Sequence, residues 1–191
     1  AGVAGVTKQT VSAHLARLLS GRLVAVQSQG RHRYFRLADR HVARLLEHLM
    51  GVAERAGACT PRPGPSDPAL RSARVCYDHL AGESAVRVFG TLERRRFFRY
   101  GKQGIGLSRS GLGFFREFGI DVEALAQQRR TLCRTCLDWS ERREHLAGAL
   151  GAALLQRLFE LDWARRVRNS RAVSFTALGR MEMRRQFEAF D

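Results

Sequence analysis

Apolar residues recur along this chain with two different periods. Val11, Leu15, Leu18 and Leu19 stand at i, i+4, i+7 and i+8, which places them on one face of a helix with 3.6 residues per turn. Thr7 ahead of them can cap the first turn and Gly21 behind them can end the helix, so a helix is predicted within 7–20. Residues 23–37, LVAVQSQGRHRYFRL, then alternate, with a polar tip at 28–31, the pattern of a β-hairpin. A second helix is predicted from Asp39 to about Arg55.

The C-terminal part repeats a pattern. HLAG occurs at 79–82 and at 145–148, and each copy is expected to open an apolar helical stretch: Val88, Phe89 and Leu92 in the first, Leu154, Leu155 and Leu158 in the second. An arginine-rich strand follows in each (RRRFFRY, WARRV), then another short strand (GIGLS, AVSFT). Ser108 and Thr176 are expected N-caps, with Gly111 and Gly179 three residues later. Helices holding Phe115 and Phe118, or Met183, Phe187 and Phe190, complete the copies. Helix, two strands, helix, written twice at about 76–120 and 136–191, predicts a tandem of winged-helix-like units. All four prolines fall in CTPRPGPSDP, 59–68, a composition that neither helix nor sheet interior accommodates. The expected organisation is a unit over 1–57, a linker over 58–69 and a unit over 70–191. The expected fold class is mainly α with small β-hairpins (α+β), a helix–hairpin–helix unit followed by a duplicated winged-helix-like C-terminal domain.

A hydrophobic content of 45% in 191 residues allows one comfortable core or two small ones. The charge balance is strongly basic, 33 Lys+Arg against 18 Asp+Glu, net +15 with a pI near 11.3, so an acidic partner is expected, nucleic acid or an anionic membrane surface. The longest apolar run, Leu146 to Leu155, falls well short of the roughly 20 residues that cross a bilayer. Four cysteines, at 59, 76, 133 and 136, are too few for a disulfide scaffold, and no secretory signal opens the chain. A reducing cytosol is the expected location. The sequence enters at Ala1 in the middle of a motif, so a natural N-terminal segment is expected ahead of it.

Opposite the leucines, the first helix carries Gln9, Ala13 and Arg17, flanked by Lys8, Thr10 and Ser12. These are small or flexible hydrogen-bonding groups that leave room for close approach. Residues 1–40 hold seven Lys/Arg against one acid, Asp39, and the hairpin tip presents Arg31, His32 and Arg33. A helix with such a face beside a basic hairpin suits the major groove of double-stranded DNA and its flanking phosphates. The candidate DNA contacts are Thr7, Lys8, Gln9, Thr10, Ser12, Ala13, Arg17, Arg31, His32 and Arg33.

The words AGVTKQTVSAHLARLLSGRLV and GRHRYFRLADRHVARLLEHL resemble, in order and kind of element, the ArsR/SmtB family of winged helix-turn-helix bacterial repressors. The resemblance spans roughly the first 55 residues. It implies contacts to bases or phosphates from Lys8, Gln9, Ser12 and Ala13, and a homodimer whose seam is the helix from Asp39 to about Arg55. It also implies a repressor released by an effector, often a metal or metalloid. Asp39 and His41 begin the spacing of that family's zinc site, but Val52 and Arg55 occupy the places of its further ligands, so zinc is not expected there.

The cysteines of the second unit offer other chemistry. Cys133 and Cys136 form a C-x-x-C word, and Cys76 precedes YDHLAG much as Cys136 precedes LDWSERREHLAG. With Arg74, Arg130 and Arg134 nearby, Cys76, Cys133 and Cys136 are candidates for a redox or electrophile sensor, or for a thiol-bound metal ion or metalloid shared with His79 or His145. Packing as small buried hydrophobes is the alternative. A small-molecule effector lined by Trp139, Trp163 and Tyr77 is a third option. Catalysis is not expected: in GKQGIGLSRSGLG, Arg109 stands where a dinucleotide loop needs its third glycine, and no phosphate loop, nucleophile elbow or metalloprotease word appears. The function expected is a sequence-specific DNA-binding regulator. The alternative is an architectural protein that binds nucleic acid without sequence preference.

Overall fold

The computed structural model describes residues 5–29, 32–56, 64–65, 67–101 and 104–189. The chain divides into two compact units, 1–58 and 59–191, and both mix helices with small antiparallel hairpins.

In the first unit, α1 (Lys8–Ser20) begins because Thr7 accepts a hydrogen bond from the Thr10 N–H at 3.1 Å, satisfying one of the donors a helix start leaves orphaned. It stops at Gly21, whose N–H reaches the Arg17 carbonyl at 2.9 Å. Of the expected stripe, Val11, Leu15 and Leu19 are half-buried, while Leu18 lies at its edge, 37% exposed. The strands β1 (Val24–Gln29) and β2 (His32–Leu37) pair from Val24 opposite Leu37 to Gln29 opposite His32. Asp39 then starts α2 (Arg40–Arg55) by accepting the N–H groups of His41 and Val42 at 2.7 and 3.1 Å. Those two bonds hold its carboxyl below the usual range.

The second unit opens with a short helix, α3 (Pro68–Ser72), in which Asp67 is the cap and Pro68 the first residue; both fall in the stretch that the sequence reading assigns to the linker. Pro at that place costs no hydrogen bond. One sequence of elements then occurs twice. It runs β3 (Arg74–Cys76), β4 (His79–Ala81), α4 (Glu83–Arg94), β5 (Phe98–Gly101), β6 (Gly104–Leu107) and α5 (Arg109–Glu117). After α6 (Val122–Ala126) it resumes as β7 (Arg134–Asp138), β8 (Arg143–Ala147), α7 (Gly148–Glu160), β9 (Ala164–Arg166), β10 (Val173–Phe175) and α8 (Ala177–Phe187). Each half is hairpin, helix, hairpin, helix.

The expectation that HLAG starts a helix is corrected by this arrangement. In both copies His, Leu and Ala form or finish a strand, and the glycine is the corner between strand and helix. Gly82 and Gly148 have φ of +93° and +85°, and a Cβ there would sit 2.6 Å from the carbonyl oxygens of Arg71 and Leu132. Only glycine turns the chain this sharply at such close quarters.

From the corners, α4 buries Ala85, Val88, Phe89 and Leu92, and α7 buries Leu154, Leu155 and Leu158 with Gly151 at the fourth place. These join Phe98, Phe115, Trp163, Met183 and Phe187 in one core. Packing is reciprocal: α4 lies against β8 and α7 against β4. A helix of each half therefore covers the hairpin of the other. Among the described residues no helix is long and apolar enough to cross a membrane.

Candidate functional site

The outer face of α1 is built by the geometry that starts the helix. Lys8, Gln9, Ser12, Ala13 and Arg17 are exposed, and Thr10 is half-buried. The hydroxyls of Thr7 and Thr10 lie 2.9 Å apart and bond each other, while Ser12 donates back to the Lys8 carbonyl at 3.0 Å. Thr7, Thr10 and Ser12 thus serve the helix itself. Longer polar reach comes from Lys8, Gln9 and Arg17, with Ala13 leaving a shallow place among them. The helix contains no acid, and its N-terminal dipole adds to the positive field around Lys8 and Gln9.

Beside it, Arg33 is exposed on β2, its guanidinium 5.3 Å from the centre of the half-buried Phe35 ring, a contact that steadies the arginine without discharging it. Arg31 and the side chain of His32 lie outside the described residues. On α2, Leu45, Leu46, Leu49 and Val52 are exposed at 53%, 41%, 55% and 53%. Four large apolar residues at i, i+1, i+4 and i+7 form a continuous uncovered row along the helix.

A different constellation occupies the second unit. Cys76 on β3 pairs in register with His79 on β4, and Cys136 on β7 with His145 on β8. The hairpins meet through β4 and β8, so the two sulfurs and two imidazoles converge, with one donor atom from each residue within 4.8 Å of the others. His79, Cys136 and His145 are buried and Cys76 half-buried. The two rings are 5.1 Å apart, centre to centre. Nδ1 of His79 lies 3.3 Å from an Asp78 carboxylate oxygen, whereas Nε2 of His79 and both ring nitrogens of His145 are buried without a hydrogen bond. Interaction with Cys136, reinforced by both imidazoles, outweighs burial and draws the Cys76 thiol down to about 3.

Cys133 does not join this group. It sits in the apolar core, where burial pushes its thiol up to about 11. Three residues along an extended chain turn side chains to opposite sides, so Cys133 faces the core when Cys136 faces the cluster. Cys59 lies outside the described residues. Tyr77, Trp139 and Trp163 do not line a common pocket: Trp163 is core, Tyr77 is 53% exposed, and the Trp139 ring stacks 5.3 Å from the Arg74 guanidinium. A cavity of about 230 Å³ lies elsewhere, lined by Ser72, Glu83, Ser84, Arg87, Arg180 and Arg184 among others.

Sequence reasoning did not find the ion pair that joins β3 to β7. Arg74 and Asp138, 2% and 0% exposed, form an ion pair in which Arg74 Nη2 donates to both carboxylate oxygens at 2.8 Å. Asp138 also accepts from Gly82 N–H at 2.7 Å, Ser140 N–H at 2.9 Å and the Ser140 hydroxyl at 2.7 Å. Burial alone would raise its carboxyl, but Ser140, Arg74 and Gly82 together hold it at about 2. The available signal is the repeated R-x-C-x-D, Arg74 to Asp78 and Arg134 to Asp138.

Over 179 residues, 94% of its length, the chain is 38% identical to a Bacillus subtilis (strain 168) protein, across 79% of that protein. The relative is described as an uncharacterized HTH-type transcriptional regulator, YdfF. No family model matches the chain, and no solved structure matches it.

Proposed function

The chain belongs to the family of HTH-type transcriptional regulators represented by the Bacillus subtilis protein, and from that membership we propose that it is a homodimeric, sequence-specific repressor that binds double-stranded DNA in the ArsR/SmtB manner. The observation that carries this reading is the acid-free, exposed face of α1 beside an exposed arginine on the β1–β2 hairpin. In the proposed complex α1 enters the major groove. Lys8 and Gln9 reach base edges, Ala13 offers an apolar contact to a thymine methyl, and Thr7, Thr10 and Ser12 hold the helix start in register with the backbone. Arg17, Arg31, His32 and Arg33 take phosphates. The uncovered row on α2 is the dimer seam, which sets two reading heads on half-sites about one helical turn apart.

In the same reading the C-terminal unit is a duplicated winged-helix-like effector domain, and release follows when an effector binds one arrangement of the dimer better than another. A cytoplasmic, nucleoid-associated location goes with that role.

Competition between the protein's own upstream DNA and random DNA at physiological salt tests the proposal. A preference of about a thousandfold is expected of a repressor; equal competition would instead indicate an architectural binder. Arg31→Ala combined with Arg33→Ala should weaken binding to all sequences alike and flatten the log–log salt slope by nearly 2, about 0.9 per lost phosphate contact. An unchanged slope removes the hairpin from the interface. Leu45→Glu with Leu49→Glu should give a monomer in sedimentation, with operator affinity lower by about a hundredfold or more once the second head no longer binds in tandem. A dimer that survives both changes places the seam elsewhere.

A further inference from the structure

We propose that Cys76, His79, Cys136 and His145 form a closed tetrahedral site for one Zn²⁺ ion, which staples the two hairpins of the C-terminal unit to each other. The inference is independent of how the first unit meets DNA. Four donors, two thiol and two imidazole, converge from β3, β4, β7 and β8 within 4.8 Å of one another. A zinc ion with bonds of about 2.0–2.1 Å to nitrogen and 2.3 Å to sulfur sets its ligands roughly 3.3–3.8 Å apart, a contraction within reach of small side-chain rotations. The donors are already close enough to surround one ion and too close for the wider spacing of an iron–sulfur cluster.

Burial supplies the second argument. A buried imidazole nitrogen without a partner is costly, and such atoms in native proteins mark a missing water or ion. Here three of the four ring nitrogens are in that condition, two of them on His145, which is 1% exposed. His79 shows the arrangement of a ligand with its outer support in place: Nδ1 faces the Asp78 carboxylate, leaving Nε2 to bind metal. Two thiolates balance the charge of a divalent cation, so the buried site is neutral when filled. Mixed sulfur and nitrogen donors select zinc over magnesium or calcium, which take oxygen. With all four positions filled by protein, the ion holds structure and leaves no place for a substrate.

The backbone is shaped around these donors. A Cβ on Gly151 of α7 would come within 3.4 Å of the His79 Cβ, so the helix of the second half presses directly on a ligand of the first. Cys76 and Cys136 are sixty residues apart in sequence, and the ion adds a coordinate link between two hairpins that the Arg74–Asp138 pair already joins.

The test uses the intact protein, purified under reducing conditions. Elemental analysis should find about one zinc per chain, and stripped protein titrated with Co²⁺ should give the intense visible bands of tetrahedral cobalt together with a thiolate-to-cobalt charge-transfer band. Cys136→Ser and His145→Ala should lose the metal, and Cys133→Ser should keep it. Should those ligand variants fail to fold, the cobalt spectrum of the unaltered protein still decides. The proposal is overturned if folded protein holds under about a tenth of an equivalent of zinc and gives no tetrahedral cobalt spectrum, if Cys76 and Cys136 are isolated as a disulfide, or if Cys133→Ser loses metal as fully as Cys136→Ser.

Discussion

Asp138→Ala should destabilise the C-terminal unit by about 3–5 kcal/mol, or lower its Tm by roughly 10–15 °C. The reason is what the substitution leaves behind. Arg74 is 2% exposed, with its guanidinium held by both Asp138 oxygens, by the Leu70 carbonyl at 3.0 Å and by Ser140 at 3.1 Å. Without the carboxylate a buried positive charge loses its counter-ion, and the N–H groups of Gly82, Ser140 and Glu141 lose their acceptor. Replacing both partners, Arg74→Met with Asp138→Leu, removes the uncompensated charge and should recover part of the loss, since apolar residues often substitute for a buried pair at little cost. Recovery stays incomplete because the three backbone donors remain unserved. Urea unfolding followed by tryptophan fluorescence reads this unit selectively, as Trp139 and Trp163 are the chain's only two. A loss under about 1 kcal/mol, the scale of a surface pair, would refute the account.

Gly179→Ala and Gly111→Ala should each cost about 1–3 kcal/mol or more, although alanine in a helix ordinarily gains about 1 kcal/mol over glycine. Both glycines sit three residues beyond a capping hydroxyl that accepts their N–H, from Thr176 at 2.9 Å and Ser108 at 3.1 Å. At that place the helix start presses onto the residue just ahead of the hairpin: a Cβ would lie 1.8 Å from the Trp163 carbonyl oxygen at Gly179, and 2.1 Å from that of Phe97 at Gly111. These are backbone atoms that also accept the N–H groups of Thr176 and Ser108, so they have nowhere to go. Gly113, two residues further along α5, meets nothing within 4 Å, and Gly113→Ala should stabilise by about 0.5–1 kcal/mol. Opposite signs at positions 111 and 113 in the same unfolding assay are the expected result. A gain at both would mean that the close approach is absent.

These two glycines also show what could be read from residues alone. The capping hydroxyls and the glycines three places on were visible as a repeated spacing, because a cap is a local interaction. Why glycine was needed was not visible, since the obstruction comes from a carbonyl more than ten residues earlier in the chain. The apolar spacing of Val88, Phe89 and Leu92, and of Leu154, Leu155 and Leu158, marked residues that are buried. The HLAG corners were misread as helix starts because His, Leu and Ala are all buried in both copies and so show no alternation. In the second copy the inserted WSERRE supplies both the turn at 139–142 and the start of β8, Arg143 and Glu144, which lengthens the hairpin and hides its likeness to the first.

The thiol cluster was half legible. Equivalent places for Cys76 and Cys136 followed from the words around them, and His79 and His145 were in view. Cys133 drew attention through a spacing that brings thiols together at a helix or a tight loop but parts them on extended chain. The Arg74–Asp138 pair escaped because its partners belong to different copies of the word. For the first unit, α1 and its exposed face could be read directly, since helical period, cap and terminating glycine are all local.

The exchange of helices between the two hairpins has a consequence for how the C-terminal unit comes into being. A ribosome that has released only residues up to about 120 has made a hairpin whose covering helix, α7, does not yet exist, and a helix, α4, with no β8 to lie on. Neither moiety has a finished interior to rest in, so the nascent first half stays sticky until β8 and α7 have emerged, and folding then proceeds in one late step between distant parts of the chain.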